Sequence, residues 1–380
     1  MATQTIGIIV NGATGRIAST QHLANALVPI RDQGGFAVGD DRIVPRLLLA
    51  GRDAAKLAAI AKQHNAEWTT DLDSALDDPT NAIFFDAAAT HRRAEMLEKA
   101  IRAGKHVYAE KPVALSAEAG RAVLRAANAR GVKHGAVEDK LGLPGLAKLA
   151  KLAASEFFGR VVGFRIEFGW WVFDGTEIPS QRPSWNYRRA TGGGLILDMY
   201  PHWRYVIENM LGPIRRVVTS LATAQPQRID EQGARYAVDV EDSASTLIEL
   251  ESGATGAILS SWATRVRRDD LLTFQIDGTK GSAIAGLHRC WTLANAQTPQ
   301  TRHFSIAKDA GIDYGSHWTE VADQGPFKNP YRIGWENFLA HVAAGSPMPA
   351  DLAAGIRDVA FAEACHRSMK DAKWISLEPR

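Results

Sequence analysis

Lys111 ends the run Gly104-Lys105-His106-Val107-Tyr108-Ala109-Glu110-Lys111-Pro112, which follows a helix-like stretch, reads as a short strand and stops at a proline. This layout leaves the lysine at the carboxyl end of a strand, the edge at which open α/β sheets bind ligands. An ammonium placed there can hydrogen-bond a reacting oxygen and favour negative charge developing on it. Asp198 and His202 are four residues apart, so on a helix they lie one above the other on the same face. Gly192, Gly193 and Gly194 precede them and permit a sharp turn that would aim the helix start at a cleft. Imidazole is suited to moving a proton near neutral pH. A plainer reading of this second pair stays open, with Asp198 capping its helix, Pro201 in the first turn and His202 a satisfied buried side chain.

Positioning such groups is the task of the flanking elements. Thr5 to Val10 is a short apolar run rich in β-branched residues, followed at once by Asn11-Gly12-Ala13-Thr14-Gly15-Arg16-Ile17-Ala18. It predicts a buried parallel strand that turns through small residues into a helix. Glycine at 12 and 15 lets backbone N–H groups approach a pyrophosphate, which the helix N-terminus then stabilises. The candidate cofactor contacts here are Gly12, Ala13, Thr14, Gly15, Arg16 and Ile17, although the spacing is Gly-x-x-Gly and not the common Gly-x-Gly-x-x-Gly. Arg46 to Ala50 predicts the second strand, which ends at Gly51-Arg52-Asp53. NAD-binding domains hold an acidic residue at this strand end for the adenosine ribose; here Gly51 takes that place and Arg52 follows. A guanidinium pairs with a 2′-phosphate that a carboxylate would repel, so NADP is preferred, with NAD as the alternative through Asp53.

Helices at 54–64, 92–103 and 116–130 alternate with strands at 81–86 and 132–137, a cadence that predicts a doubly wound parallel sheet, a Rossmann domain, over residues 1–140. Residues 28–45 exceed a usual connection and read as an excursion of unassigned role, a candidate lid or oligomer contact. Glu138-Asp139-Lys140 crosses into the next domain, and Lys140 is a candidate substrate contact. Residues 141–380 read as a second α/β domain with an open, largely antiparallel sheet: a helix over 144–157, an alternating strand over 160–168, a hairpin at 243–262 and strands at 271–277 and 281–286. Two amphipathic tail helices, 335–344 and 352–370, are expected to close it. Trp185 and Tyr187, with Arg188 beside them in a turn-rich loop, are candidate substrate contacts because aromatic faces stack on ring C–H groups.

The chain has 380 residues, more than one core usually serves. Its 46% hydrophobic and 23% charged residues place it among ordinary globular proteins. A net charge of +2, with only short basic runs, makes no electrostatic case for nucleic acid. Cys290 and Cys365 lack ligand spacing, so neither a disulfide framework nor a metal site is expected. No stretch approaches membrane-spanning length, and the first strand starts within about six residues of Met1, which predicts a cytoplasmic enzyme without a signal peptide.

The run ending in Glu110-Lys111-Pro112 resembles the signature of the Gfo/Idh/MocA family of nicotinamide-dependent sugar and polyol oxidoreductases. The glycine turn followed by Asp198-x-x-x-His202 is similar to a second element of that family. The resemblance implies an active-site lysine at 111, with Glu110 and Lys111 against the cofactor, and catalytic Asp198 and His202 that also contact substrate. It further implies a carbohydrate substrate and a homodimer or homotetramer built on the C-terminal sheet. The chain departs from the family at Ala88-Ala89-Thr90 and Arg93, where Thr-Pro-Asn and a histidine are usual, and His91 is given no chemical role.

The expected reaction is hydride transfer between a nicotinamide and a carbinol or carbonyl carbon of a sugar, polyol or glycoside. His202 would be the general acid/base, Lys111 would hold the reacting oxygen, and Asp198 would orient the substrate and keep the two cationic candidates in place. Three other activities known on this fold stay open: a non-catalytic sugar sensor, a cofactor-dependent glycosidase and a dihydrodiol dehydrogenase. Turnover, aglycone release and a diol screen distinguish them.

Overall fold

The computed structural model describes residues 2–268, 270–300, 313–323 and 325–378. β1 (Thr3–Asn11), β2 (Phe36–Val38), β3 (Asp41–Ala50), β4 (Glu67–Thr69), β5 (Asn81–Asp86), β6 (His106–Ala109) and β7 (His134–Ala136) form one sheet in the order β2-β3-β1-β5-β6-β7, with β4 also beside β3. All neighbours run parallel except β2 with β3. Alternate residues of β1 feed two separate cores, Ile6, Ile8 and Val10 on one face and Ile9 on the other. A strand covered on both faces has to read as an unbroken apolar run, and this one does. The chain leaves β1 with β3 on one side and β5 on the other, which opens a crevice at the carboxyl ends of the strands.

Residues 28–45 are not a loose excursion. The helix Ile17–Leu27, wound with π spacing, runs on into α1 (Val28–Asp32), and the remainder is the hairpin of β2 with β3, in which Phe36 faces Ile43. Pro45 masked the length of β3. It lies between the stretch paired with β2 and the stretch paired with β4, where a missing N–H leaves no edge partner unsatisfied. The first face layers are completed by α2 (Ala54–His64), α3 (Leu72–Asp77), α4 (Arg93–Arg102) and α5 (Ala117–Arg130).

After α6 (Pro144–Ala153), which ends earlier than expected, β8 (Val161–Gly169) alternates with Phe164, Ile166 and Phe168 inward. α7 (Leu195–Leu211) leads to β9 (Ile214–Ala222), a small ribbon of β10 (Gln227–Ile229) with β11 (Arg235–Ala237), and then β12 (Ser243–Leu250), β13 (Thr255–Ser261), β14 (Leu272–Gly278), β15 (Gly281–Ala285), β16 (Cys290–Ala294), β17 (Thr319–Glu320) and β18 (Ile375–Ser376). The second sheet has the order β17-β16-β15-β14-β8-β13-β12-β9-β18, antiparallel except where β8 meets β13. α7 packs on one face. The other leaves Leu247 55% and Leu259 50% exposed.

The tail helices do not simply close the second domain. α8 (Pro330–Ala344) places Trp335, Phe338 and Leu339 in the first domain's core, where the Trp335 and Tyr108 rings are 4.9 Å apart. α9 (Leu352–Asp371) gives Leu352, Ile356 and Val359 to the first domain and Phe361, Ala364 and Cys365 to the second. Amphipathic spacing shows that a face is buried, not which layer buries it.

Candidate active site

Lys111 leaves the carboxyl end of β6, and its peptide bond to Pro112 is cis. Two sets of buried contacts fix it. Arg93 donates to the Asp86 carboxylate (3.0 Å), the Pro112 carbonyl (2.5 Å) and the Ala88 carbonyl (2.7 Å), tying β5 and its following loop to the lysine segment. Trp335 Nε1–H donates to His22 Nδ1 (2.9 Å), so His22 Nε2 carries the hydrogen and donates to Glu110 Oε1 (2.7 Å). Glu110 Oε2 in turn accepts from the Lys111 backbone N–H (3.0 Å). Glu110 therefore acts on the backbone that carries the lysine.

The Lys111 ammonium crosses to the second domain, where it donates to Asp198 Oδ1 and to the Asp198 carbonyl, each at 2.8 Å. Arg182 Nη2 lies 2.6 Å from the other carboxylate oxygen. Burial alone would raise the Asp198 carboxyl, but Arg182 and Lys111 outweigh it and hold it below its usual range. Asp198 is not a helix cap. α7 begins at Leu195 behind Gly194, whose φ is +117°, and a Cβ on Gly193 would fall 2.3 Å from the Asn186 carbonyl oxygen. The orphan N–H of Ile196 is met instead by Glu241 Oε1 at 3.0 Å.

One turn on, His202 is 4% exposed, with Nδ1 3.5 Å from Glu138 Oε2 and 3.7 Å from Asp139 Oδ1. Burial, and then the cations Lys140, Lys111 and Arg182, hold it well below its usual value. Its Nδ1 has no hydrogen-bond partner among the described residues. Lys140 pairs with Asp139 at 2.5 Å on the domain crossing. Lys111, Lys140, Asp198 and His202 thus come together from both domains.

At the crevice, Gly12 takes φ +79°, and a Cβ there would lie 2.7 Å from the Ala88 nitrogen. The Gly12 and Ala13 N–H groups are both spent on the Ala50 carbonyl, which pins this turn to the end of β3. Thr14, Gly15, Arg16 and Ile17 form the surface that opens onto the first helix. Burial and Arg182 lower the Arg16 guanidinium, against Tyr331, Asp198 and Glu110. Arg52 is exposed and has no ion pair or hydrogen bond among the described residues, whereas Asp53 accepts from the Lys56 N–H (3.0 Å) as the cap of α2. Gly51 has room for a side chain: its Cβ would meet Leu57 no closer than 3.5 Å.

One candidate is misplaced. Tyr187 is 0% exposed, its hydroxyl is bonded to Ser180 (2.6 Å) and the Phe173 carbonyl (2.7 Å), and its ring lies under Arg228 at 4.3 Å and against Trp262 at 5.4 Å. No ring face remains for a substrate, so Tyr187 is core. Trp185 is 40% exposed, three residues beyond Arg182, and Arg188 lies over the Tyr236 ring at 4.8 Å. Arg182, Tyr331, Glu138 and Asp139 were not singled out as site residues from the sequence. Burial raises the Tyr331 hydroxyl, with Asp139 and Glu110 adding and Arg182 and Arg16 opposing. A lone arginine and a tyrosine at the start of a tail helix carry no motif that marks them.

Residues 6–137 match the model of the oxidoreductase family with an NAD-binding Rossmann fold, and residues 146–284 match the GFO/IDH/MocA C-terminal domain. The chain is 41% identical to D-xylose dehydrogenase of Paenarthrobacter nicotinovorans, over 99% of its own length and 98% of that protein. It is 28% identical to levoglucosan dehydrogenase of Pseudarthrobacter phenanthrenivorans, over 98% and 97%. The solved structure of a levoglucosan dehydrogenase in complex with NADH and levoglucosan has the same fold, with a TM-score of 0.81, 24% identity and coverage of 99% and 100%. A dinucleotide-binding first domain, a mostly antiparallel second sheet and the matches across both identify this chain as a member of the GFO/IDH/MocA family of oxidoreductases.

Proposed function

We propose that the protein is a sugar dehydrogenase that uses NADP in preference to NAD, with an aldose such as D-xylose as the first substrate to test. The observation that carries the reading is the junction of Lys111 from the first domain with Asp198 and His202 from the second, at the carboxyl ends of the strands. The names of the relatives support the sugar class. NADP rests on Arg52, a guanidinium with no protein partner among the described residues, at the strand end where a carboxylate would serve NAD.

The residues present suit a dinucleotide. Gly12 admits only glycine without strain, the helix that starts at Ile17 without a side-chain cap would turn its N-terminus to a pyrophosphate, and Arg52 would meet the adenosine end. When bound, the nicotinamide supplies the hydride acceptor or donor. The chain does the rest. His202 takes the proton of the carbinol hydroxyl in oxidation and returns it in reduction. Lys111 donates to the reacting oxygen and favours its negative charge. Asp198, held between Lys111 and Arg182, keeps the ammonium pointed at that oxygen. Trp185, Arg188 and Lys140 remain the candidate contacts to the rest of the sugar, and the exposed face around Leu247 and Leu259 is the surface proposed to pair two copies.

Absorbance of the reduced nicotinamide, read with NADP and with NAD across aldoses, anhydrosugars, polyols and aromatic diols, tests the reading. Turnover on a sugar is expected; turnover confined to aromatic diols, or none, would refute it.

A further inference from the structure

We infer that Glu138 is a positioning residue for His202: its carboxyl accepts the Nδ1–H of the imidazole and so leaves Nε2 as the base turned toward substrate. The inference rests on His202 being the general base of the proposed reaction. Glu138 lies on the crossing after β7 with its side chain 0% exposed, and its Oε2 is the carboxyl oxygen nearest His202 Nδ1, at 3.5 Å. Both Glu138 oxygens, Asp139 Oδ1, His202 Nδ1 and Asp358 Oδ2 are buried without a hydrogen-bond partner among the described residues. Such a cluster requires donors that carboxylates do not have.

Two hydrogens satisfy four of these five atoms, leaving Asp139 Oδ1. One on His202 Nδ1 points to Glu138 Oε2. One on the other Glu138 oxygen would point to the Asp358 carboxyl, which pushes the Glu138 carboxyl up while Glu138 draws that of Asp358 down. The chain then terminates in a fixed charge, because Asp358 Oδ1 accepts from Arg204 Nε, while Arg204 Nη1 reaches Glu208 (2.7 Å) and Nη2 the Ala354 carbonyl (3.2 Å). Arg204 already has two anions, Asp358 and Glu208, and Arg357 stands 3.7 Å from Glu208. A third carboxylate at Glu138 would lie unpaired. Burial drives the Glu138 carboxyl well up, Asp358 and Asp139 add to this, and Arg204 opposes. The other groups around it are His202 and Tyr205 from α7, Lys140 and Asp139 on its own segment and Tyr108 from β6. Asp139 is the competitor for Nδ1, but it is farther, at 3.7 Å, and its second oxygen holds Lys140. An ionised Glu138 would favour an imidazolium, which has no lone pair with which to act as a base.

The test pairs nitrogen-15 shifts of the histidine rings, with His202 assigned by its loss in His202→Asn, with turnover on whichever sugar the wild type oxidises. His202 is expected as the Nδ1–H tautomer in the wild type. Glu138→Leu, which has no polar side-chain atoms, is expected to lose that tautomer and about 10²- to 10³-fold in kcat, with sugar KM within about threefold, the pattern of a wrongly oriented base. Glu138→Gln presents a carbonyl to His202 and an amide N–H to Asp358, and is expected to keep the tautomer and kcat within about threefold of wild type. An Nε2–H ring in the wild type, unimpaired kcat in Glu138→Leu, or Glu138→Gln as slow as Glu138→Leu would each overturn the inference. The shifts need no substrate, so an error in the sugar reading leaves that arm intact. If Glu138→Leu does not fold, the wild-type shifts and the kcat of Glu138→Gln decide.

Discussion

His202 works against its own burial. Burial and the cations Lys140, Lys111 and Arg182 depress it well below 6.5, so it is a free base across neutral pH. In the unfolded chain the ring titrates near 6.5, so as pH falls through that value the unfolded state takes up a proton that the fold excludes. Its effect on stability is therefore absent above 6.5 and destabilising below it. For catalysis, the plateau of kcat/KM is expected to extend below pH 6.5, with the acid limb lower still; a limb at or above 6.5 would contradict the assignment. Arg52 gives a second prediction at this scale. Arg52→Asp is expected to weaken NADP by about 10- to 100-fold and to improve NAD, read from the ratio of kcat/KM for the two cofactors. Tyr187 gives a third: Tyr187→Phe, which removes a hydroxyl shared with Ser180 and Phe173, is expected to cost about 1 kcal/mol of stability in denaturant titration and to leave sugar KM unchanged.

The helices and strands show what the sequence could reveal and what it could not. The strand that leads to Lys111 and the helix carrying Asp198 and His202 were legible because a ligand edge and a four-residue spacing are local properties. Tyr187 was misread because turn-rich surroundings suggested a surface loop, whereas Arg228 and Trp262, more than forty positions later, enclose the ring. The tail was misassigned for the same reason. Nothing near Trp335 announces that its indole reaches His22, at the opposite end of the chain, and through it Glu110 and the Lys111 backbone. Trp335→Phe keeps most of the packing and removes that donor. It is expected to cost about 1 kcal/mol of stability and to lower kcat more than it changes cofactor affinity, as read by unfolding and steady-state kinetics.

For the molecule as a whole, α9 matters most, since one helix enters the cores of both domains and holds the face of one against the strand ends of the other. The site draws on both domains, since Lys111 and Asp198 meet at 2.8 Å. The most direct measurement is turnover on the sugar the wild type oxidises, together with cofactor affinity by quenching of tryptophan fluorescence, for Lys111→Met and His202→Asn. Each variant is expected to lose about 10²- to 10⁴-fold in kcat while binding the cofactor within about threefold of the wild type. Wild-type turnover in either variant, with the fold intact, would contradict the account.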